Sequence, residues 1–176
     1  FEKQVLKTIG LAQEVGKPFY INVNTSDPHR PFIGSKQEAD MQKSMQKWDR
    51  SWLDNTPKGE DNPQMEDYFI RFGYERCYEP DEVPLPGYLP DLPEVRLEVA
   101  EYFSSVKRGD ETLGKVVALL KENGLWDNTV FIFLSDHGAA LPSAKGDCFI
   151  QSTHVPMVMR WPGVTKPGDV KADGFI

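Results

Sequence analysis

The stretch ENGLWDNTVFIFLSDHG, residues 122–138, decides the reading of the fold. Asn123-Gly124 stops a helix, Thr129 to Ser135 is near-continuously apolar as parallel strands covered on both faces are, and Asp136-His137-Gly138 follows at the strand's end. A helix feeding a buried strand, with polar side chains just past it, is the pattern of an open α/β sheet, whose ligands bind outside the carboxyl ends of the strands.

The same pattern extends in both directions. Pro93 opens a long helical pattern, with Asp91 or Leu92 near the cap, that runs through Val99, Tyr102, Val106, Val116 and Leu120 to the stop at Asn123-Gly124. A helix of about thirty residues is roughly 45 Å long, so a bend is expected near Gly109 or Gly114. Near the start, Val5, Leu6, Ile9, Ala12 and Val15 fall at helical spacing before Gly16. PFYINVN, residues 18–24, then reads as a second buried strand, and VPMVMRW, residues 155–161, as a third. The expected class is α/β, with a mostly parallel central sheet flanked by helices.

Composition narrows the function. Of 176 residues, 27 are acidic and 20 basic, a net charge of −7, and apolar residues with glycine make up about 47%, a globular value. The acidic balance argues against nucleic acid, which needs clustered Lys and Arg. No apolar run approaches the roughly 18 residues of a membrane-spanning helix. Residues 54–94 hold eleven of the acidic residues, three basic ones and seven of the fourteen prolines, so they read as an irregular, solvated insertion. Its aromatics, Tyr68, Phe69, Phe72, Tyr74 and Tyr78, suggest that it packs on the domain, the alternative being that they line a substrate cleft. The two cysteines, Cys77 and Cys148, are too few for a disulfide scaffold and too far apart for a zinc knuckle. Because the chain opens on Phe1 and enters directly on a helical pattern, we expect it to be a fragment.

Two of the three histidines come just after expected strands. At Asp136-His137 a carboxylate and an imidazole stand side by side and could share a metal ion, or else cap a helix and fill a turn. In Asp27-Pro28-His29-Arg30-Pro31 an imidazole and a guanidinium sit between prolines, as a general acid or oxyanion donor, or as solvated charges of a surface turn. Lys145, nine residues after Asp136, could reach an anion at the same sheet edge. Asn24-Thr25-Ser26 is a formal glycosylation sequon, most simply a chance match.

Four segments together carry a resemblance: KPFYINVNTSDPHRPF, EPDEVPLPGYLPDLPEVRLEVAEYFSSV, ENGLWDNTVFIFLSDHG and THVPMVMRWPG. In this order they resemble the sulfatases of the alkaline-phosphatase superfamily, and most of all the N-sulfoglucosamine sulfohydrolase branch. The resemblance implies that residues 1–176 are a partial sulfatase catalytic domain, with residues 54–94 an insertion within it. It implies that Asp136 and His137 are ligands of one divalent cation, Ca2+ in most sulfatases, although imidazole is softer than the oxygen ligands calcium prefers. By the same resemblance His29 matches the histidine that touches the sulfate group and assists the leaving group, and Lys145 the basic residue that binds a sulfate oxygen. Asp110 and His154 look structural.

The family's nucleophile is a formylglycine made from Cys or Ser in C/S-x-P-x-R. Cys77 is followed by Tyr-Glu-Pro and Cys148 by Phe-Ile-Gln, so neither fits. Ser26-Asp27-Pro28-His29-Arg30 fits the bare string, but His29 replaces the small residue found there and the segment matches the histidine loop. The resemblance therefore implies that the formylglycine and the paired aspartates of the cation site lie upstream, and that this chain alone does not turn over. It implies a sulfated-carbohydrate substrate, small sulfated sugars fitting the acidic charge better than long glycosaminoglycans, and a periplasmic, lysosomal or secreted location. The alternatives are a metal-dependent phosphohydrolase of the same superfamily and a non-catalytic sulfate- or sugar-binding remnant.

Overall fold

A computed structural model describes residues 2–46 and 75–170 of the chain. Tyr68, Phe69, Phe72 and Tyr74 lie outside the described residues. In chain order the elements are α1 (Glu2–Glu14), α2 (Lys36–Gln46), α3 (Pro93–Glu122), a 3-10 turn (Trp126–Asn128), β1 (Phe131–Leu134), α4 (Ile150–Thr153) and β2 (Met157–Arg160). They divide between two units, Phe1–Val116 and Val117–Ile176.

In the first unit, α1 buries Val5 and Ile9, four residues apart and so on one face. It ends where Gly16 takes a φ of +61°. The sequence reading did not identify α2, because KQEADMQKSMQ carries no apolar stripe. Its start is encoded in polar side chains instead. Ser35 Oγ accepts the Glu38 amide at 3.1 Å, and the Glu38 carboxylate reaches back to the Gly34 amide at 2.8 Å, a close variant of the capping box.

The expected strand over residues 18–24 forms no ladder among the described residues. It runs extended, with Phe19, Ile21 and Val23 half-buried and Tyr20, Asn22 and Asn24 exposed, the period-two alternation of a strand without a paired neighbour. From Glu75 to Leu92, Val83 and Leu89 are buried, and Lys107 lies 6.0 Å from the Tyr78 ring.

The long helix α3 organises this unit. Pro93 occupies its first position, where a missing amide hydrogen costs nothing. Val99, Ala100, Ser104 and Ser105 are buried, and the two serines do different jobs. Ser104 Oγ donates to the Ala100 carbonyl and accepts the Cys77 amide at 3.1 Å. Ser105 Oγ donates to the Glu101 carbonyl and accepts the Ile33 amide at 2.9 Å. Two distant loops are thereby fastened to neighbouring positions of one helix.

In the second unit, α3 stops through a complete Schellman motif. Gly124, at φ +67°, donates to Lys121 at 3.0 Å, and Leu125 donates to Leu120 at 2.8 Å. β1 then pairs with β2, Phe131 opposite Arg160 and Leu134 opposite Met157. The pair is antiparallel, which a mostly parallel sheet accommodates at an edge. The 22 residues between them hold loops and the single turn α4. Arg160 ties the start of the unit to β2. Its guanidinium lies 4.2 Å from the Trp126 ring centroid and donates to the Trp126 carbonyl and, at 2.8 Å, to Asp127.

Candidate active site

Directly after β1, the Asp136-His137-Gly138 turn is held from three sides. Ser135 Oγ donates to the His137 carbonyl at 2.7 Å, the Ser135 amide to the Pro156 carbonyl at 3.3 Å, and the Gly138 amide to the Ser152 carbonyl at 3.2 Å. Gly138 is required by the packing. A methyl group there would overlap the carbonyl oxygens of Ala144 and Gln151 and come within 2.9 Å of Ser152 Cα.

The imidazole of His137 is oriented by this turn. Its Nδ1 lies 2.7 Å from the Gly138 carbonyl oxygen, which can only accept, so Nδ1 carries the hydrogen. Nε2 then faces Asp136 Oδ2 at 3.4 Å. The His137 side chain is 39% and the Asp136 side chain 85% exposed, so both atoms are open to solvent or to an ion. Two ligands at calcium–ligand distances and at right angles about the ion stand about 3.4 Å apart. The pair therefore fits as two neighbouring ligands of one divalent cation, with the Gly138 carbonyl as the outer partner that fixes the tautomer. Among the described residues no group of three or more His, Cys, Asp or Glu forms a fuller metal site.

Lys145 is exposed, on the loop that returns to this turn. Leu141 and Ala144 are buried and anchor that loop, and the Ala144 carbonyl is one of the two that leave no room at Gly138. The backbone of Lys145 thus begins one peptide away from the turn. Ser143, at φ +59°, holds the left-handed conformation that glycine adopts more easily, a local strain of about 1 kcal/mol in the peptide run leading to Lys145. His154 stands at the C-cap of α4, its amide donating to the Ile150 carbonyl at 2.8 Å.

His29 belongs to the first unit. Its amide closes a tight turn on the Ser26 carbonyl at 2.8 Å, and its Nδ1 lies 2.6 Å from the Arg30 carbonyl oxygen, so here too Nδ1 carries the hydrogen and Nε2 is the atom that can exchange a proton with a ligand. The Asp27 carboxylate accepts two hydrogen bonds of 2.7 Å from Arg108 on α3, from Nε and from Nη2. Arg30, considered from the sequence as an oxyanion donor, is occupied instead: it pairs with Glu98, and its guanidinium lies 4.7 Å from the Phe32 ring centroid. Phe32 in turn meets Tyr102 edge-on at 5.5 Å. The sequence reading missed the Asp27–Arg108 pair, whose partners are 81 residues apart and share no local pattern.

Electrostatics on this face of α3 are mixed. Partial burial pushes the Glu101 carboxyl above its ordinary value, opposed by the guanidinium groups of Arg76 and Arg30 and reinforced by Glu38. Burial also pushes the Tyr102 phenol up. The two cysteines are exposed and free, and no described helix is long and apolar enough to cross a membrane.

Comparison with known proteins adds the remaining findings. Residues 2–176 match the Sulfatase family. The chain is 30% identical over 166 residues, 91% of its length, to the multifunctional alkaline phosphatase superfamily protein PehA of Trinickia caryophylli, of which it covers 32%. It is 30% identical over 170 residues, 92% of its length, to an endo-4-O-sulfatase of Bacteroides thetaiotaomicron, of which it covers 27%. It is also 30% identical over 87 residues, 49% of its length, to the N-sulphoglucosamine sulphohydrolase of Homo sapiens, of which it covers 17%. The chain thus spans less than a third of the length of each of these relatives. No solved structure matches it.

Proposed function

The chain belongs to the sulfatase family, and from that premise we propose that the whole protein hydrolyses a sulfate ester or a sulfamate on a sugar, using His29, Asp136, His137 and Lys145. The observation that carries the proposal is the convergence of Asp136 Oδ2 and His137 Nε2 at 3.4 Å, with the far ring nitrogen already engaged by a backbone carbonyl. That spacing supports the reading of the two side chains as neighbouring ligands of one cation. In this reading Asp136 and His137 would hold Ca2+, and the bound ion would draw charge from the sulfuryl oxygens as the S–O or S–N bond breaks.

The other assignments rest on what each side chain can do. Lys145 is a point charge on a flexible stem, suited to hold one sulfuryl oxygen as negative charge builds there. His29, with Nδ1 engaged by the Arg30 carbonyl, can deliver a proton from Nε2 to the departing oxygen or nitrogen. The nucleophile is assigned to a formylglycine outside these 176 residues, because neither Cys77 nor Cys148 stands in the required motif. A sugar sulfate is supported by two relatives, named for an endo-4-O-sulfatase and for N-sulphoglucosamine hydrolysis. An exported location, where such substrates occur, is part of the same proposal.

A second reading, phosphoryl-ester hydrolysis, is favoured by one specific observation: the Trinickia caryophylli relative bears the name of a multifunctional member of the alkaline phosphatase superfamily. The experiment that separates the two assays the full-length protein, with and without Ca2+ or a chelator, on N-sulfoglucosamine, O-sulfated sugars, 4-nitrophenyl sulfate and 4-nitrophenyl phosphate. Cation-dependent release of sulfate from a sugar supports the first reading. Preference for the phosphate ester replaces it with the second, and binding without turnover of any of the four points to a non-catalytic remnant.

A further inference from the structure

We infer that Phe149 is a substrate-binding residue, an aromatic platform for the sugar ring that carries the sulfate. The inference rests on the proposed hydrolysis of a sugar sulfate and adds the group that recognises the sugar rather than the sulfate. Residues 145–150, KGDCFI, form a loop whose two ends meet. The carbonyl oxygens of Ala144, just before it, and of Gln151, just after it, both crowd the point where a Gly138 Cβ would stand. A six-residue excursion with its ends together is an Ω-type loop, and this one is pinched against the residue that follows His137. Ser152 Cα lies 2.9 Å from the same point, and the Ser152 amide donates to the Phe149 carbonyl at 2.9 Å. A turn closed in that way keeps its outer Cα atoms within about 7 Å, so the Phe149 backbone stands within about 10 Å of Gly138.

The backbone of Phe149 is fixed on both sides. Its amide donates to Asp147 Oδ1 at 2.9 Å, and its carbonyl accepts the Ser152 amide. Gly146, at φ +79°, turns the chain between Lys145 and that point. The side chain, by contrast, is not packed: Phe149 is 58% and its neighbour Ile150 67% exposed. A large apolar ring held in water on a constrained backbone gains free energy when something covers it. The loop that presents it also presents Lys145, and both stems of that loop rest on the turn of the candidate cation site. Sulfate offers oxygens alone, which the cation and Lys145 meet in the proposed mechanism. A pyranose ring offers C–H groups on its faces, apolar and slightly positive, and the electron-rich face of an aromatic ring is their complement. An aromatic side chain beside a few placed polar groups is the usual lining of a small-molecule site.

The test uses the full-length protein in four forms: unaltered, Phe149→Ala, Phe149→Trp and Lys145→Ala. N-sulfoglucosamine and O-sulfated glucosamine serve as substrates, and inorganic sulfate, which has no apolar face, as a competitive inhibitor. Phe149→Ala is expected to raise KM for the sugar about 10-fold with kcat changed less than about 3-fold, the pattern of a contact made equally in ground and transition states. The inhibition constant of inorganic sulfate should stay within about 2-fold of the unaltered value, because the sulfate end of the site is untouched. Phe149→Trp, which keeps an aromatic face, should hold KM within about 3-fold. Lys145→Ala is expected to raise KM and the sulfate inhibition constant together. The unfolding temperature of Phe149→Ala should stay within about 2 °C, as for other exposed positions. Unchanged KM in Phe149→Ala, or a sulfate inhibition constant that rises in step with KM, overturns the platform while leaving the proposed hydrolysis intact. So does a fall of more than about 5 °C in unfolding temperature, which would show the ring buried against other parts of the full-length chain. Release of no sulfate from either sugar by the unaltered protein overturns the proposed hydrolysis itself, and the platform with it.

Discussion

Asp136 Oδ2 lies 3.4 Å from His137 Nε2, and the opposite ring nitrogen of that histidine is committed to the Gly138 carbonyl at 2.7 Å. Loss of an outer partner of a ligand typically weakens metal binding 10- to 100-fold, and loss of a ligand itself at least as much. Asp136→Asn in the full-length protein is therefore expected to weaken Ca2+ affinity by about 100-fold or more, measured by calorimetric titration. Unchanged affinity would remove Asp136 from the cation site.

Gly138 offers a prediction about stability that is independent of any ligand. The site of its missing Cβ is filled by the carbonyl oxygens of Ala144 and Gln151, and backbone atoms cannot swing aside as a flexible side chain can. Gly138→Ala should destabilise the second unit by about 3 kcal/mol, the upper part of the range for overpacking, and should displace the loop that carries Lys145. Chemical denaturation followed by circular dichroism reads the first effect. A midpoint equal to that of the unaltered protein would show that the loop yields freely.

How much of this was legible beforehand depends on whether the signal was local. α3 could be read because both ends carry backbone chemistry, Pro93 at the start and Gly124 in the Schellman motif at the end. The strand after it could be read from FIFL, but its partner's direction could not, because a strand's own residues do not fix which way its neighbour runs. Leu134 is 52% exposed, so a continuous apolar run spoke for a strand without settling what covers it. α2 was invisible to hydrophobic periodicity, and only Ser35 and Glu38, three residues apart, marked its start. In the candidate site, Asp136 and His137 are neighbours in sequence and could be paired on sight. Asp27 and Arg108 meet only through the fold, so no spacing rule could have joined them.

Phe32 links the histidine turn to the core. It is 1% exposed, meets Tyr102 edge-on at 5.5 Å, and has the Arg30 guanidinium 4.7 Å from its ring centroid. Phe32→Ala should cost about 3–5 kcal/mol, from lost burial plus the cavity left behind, while Phe32→Leu, which keeps most of the volume, should cost less than about 1.5 kcal/mol. Thermal unfolding of both variants checks the ordering. Equal, small effects would mean that the turn is held by its ion pairs rather than by this ring.

Glu101 makes stability depend on pH in an unusual direction for a carboxylate. Partial burial is the largest influence and raises its pKa, with Arg76 and Arg30 opposing and Glu38 reinforcing the shift. A carboxyl whose pKa is higher folded than unfolded binds its proton more tightly in the folded state. Between the two pKa values the folded state therefore holds more protons than the unfolded one, and this group's contribution to stability falls as pH rises through that window. Its full cost is present at neutral pH, and the cost disappears below the ordinary carboxylate range. Glu101→Gln removes the charge without changing the shape, so it should raise the unfolding temperature slightly at pH 7 and leave it unchanged near pH 3. The difference between the two proteins, plotted against pH, should grow from acid to neutral. A variant that is less stable at pH 7 would show instead that the attraction to Arg76 and Arg30 outweighs the burial, reversing the sign of the argument.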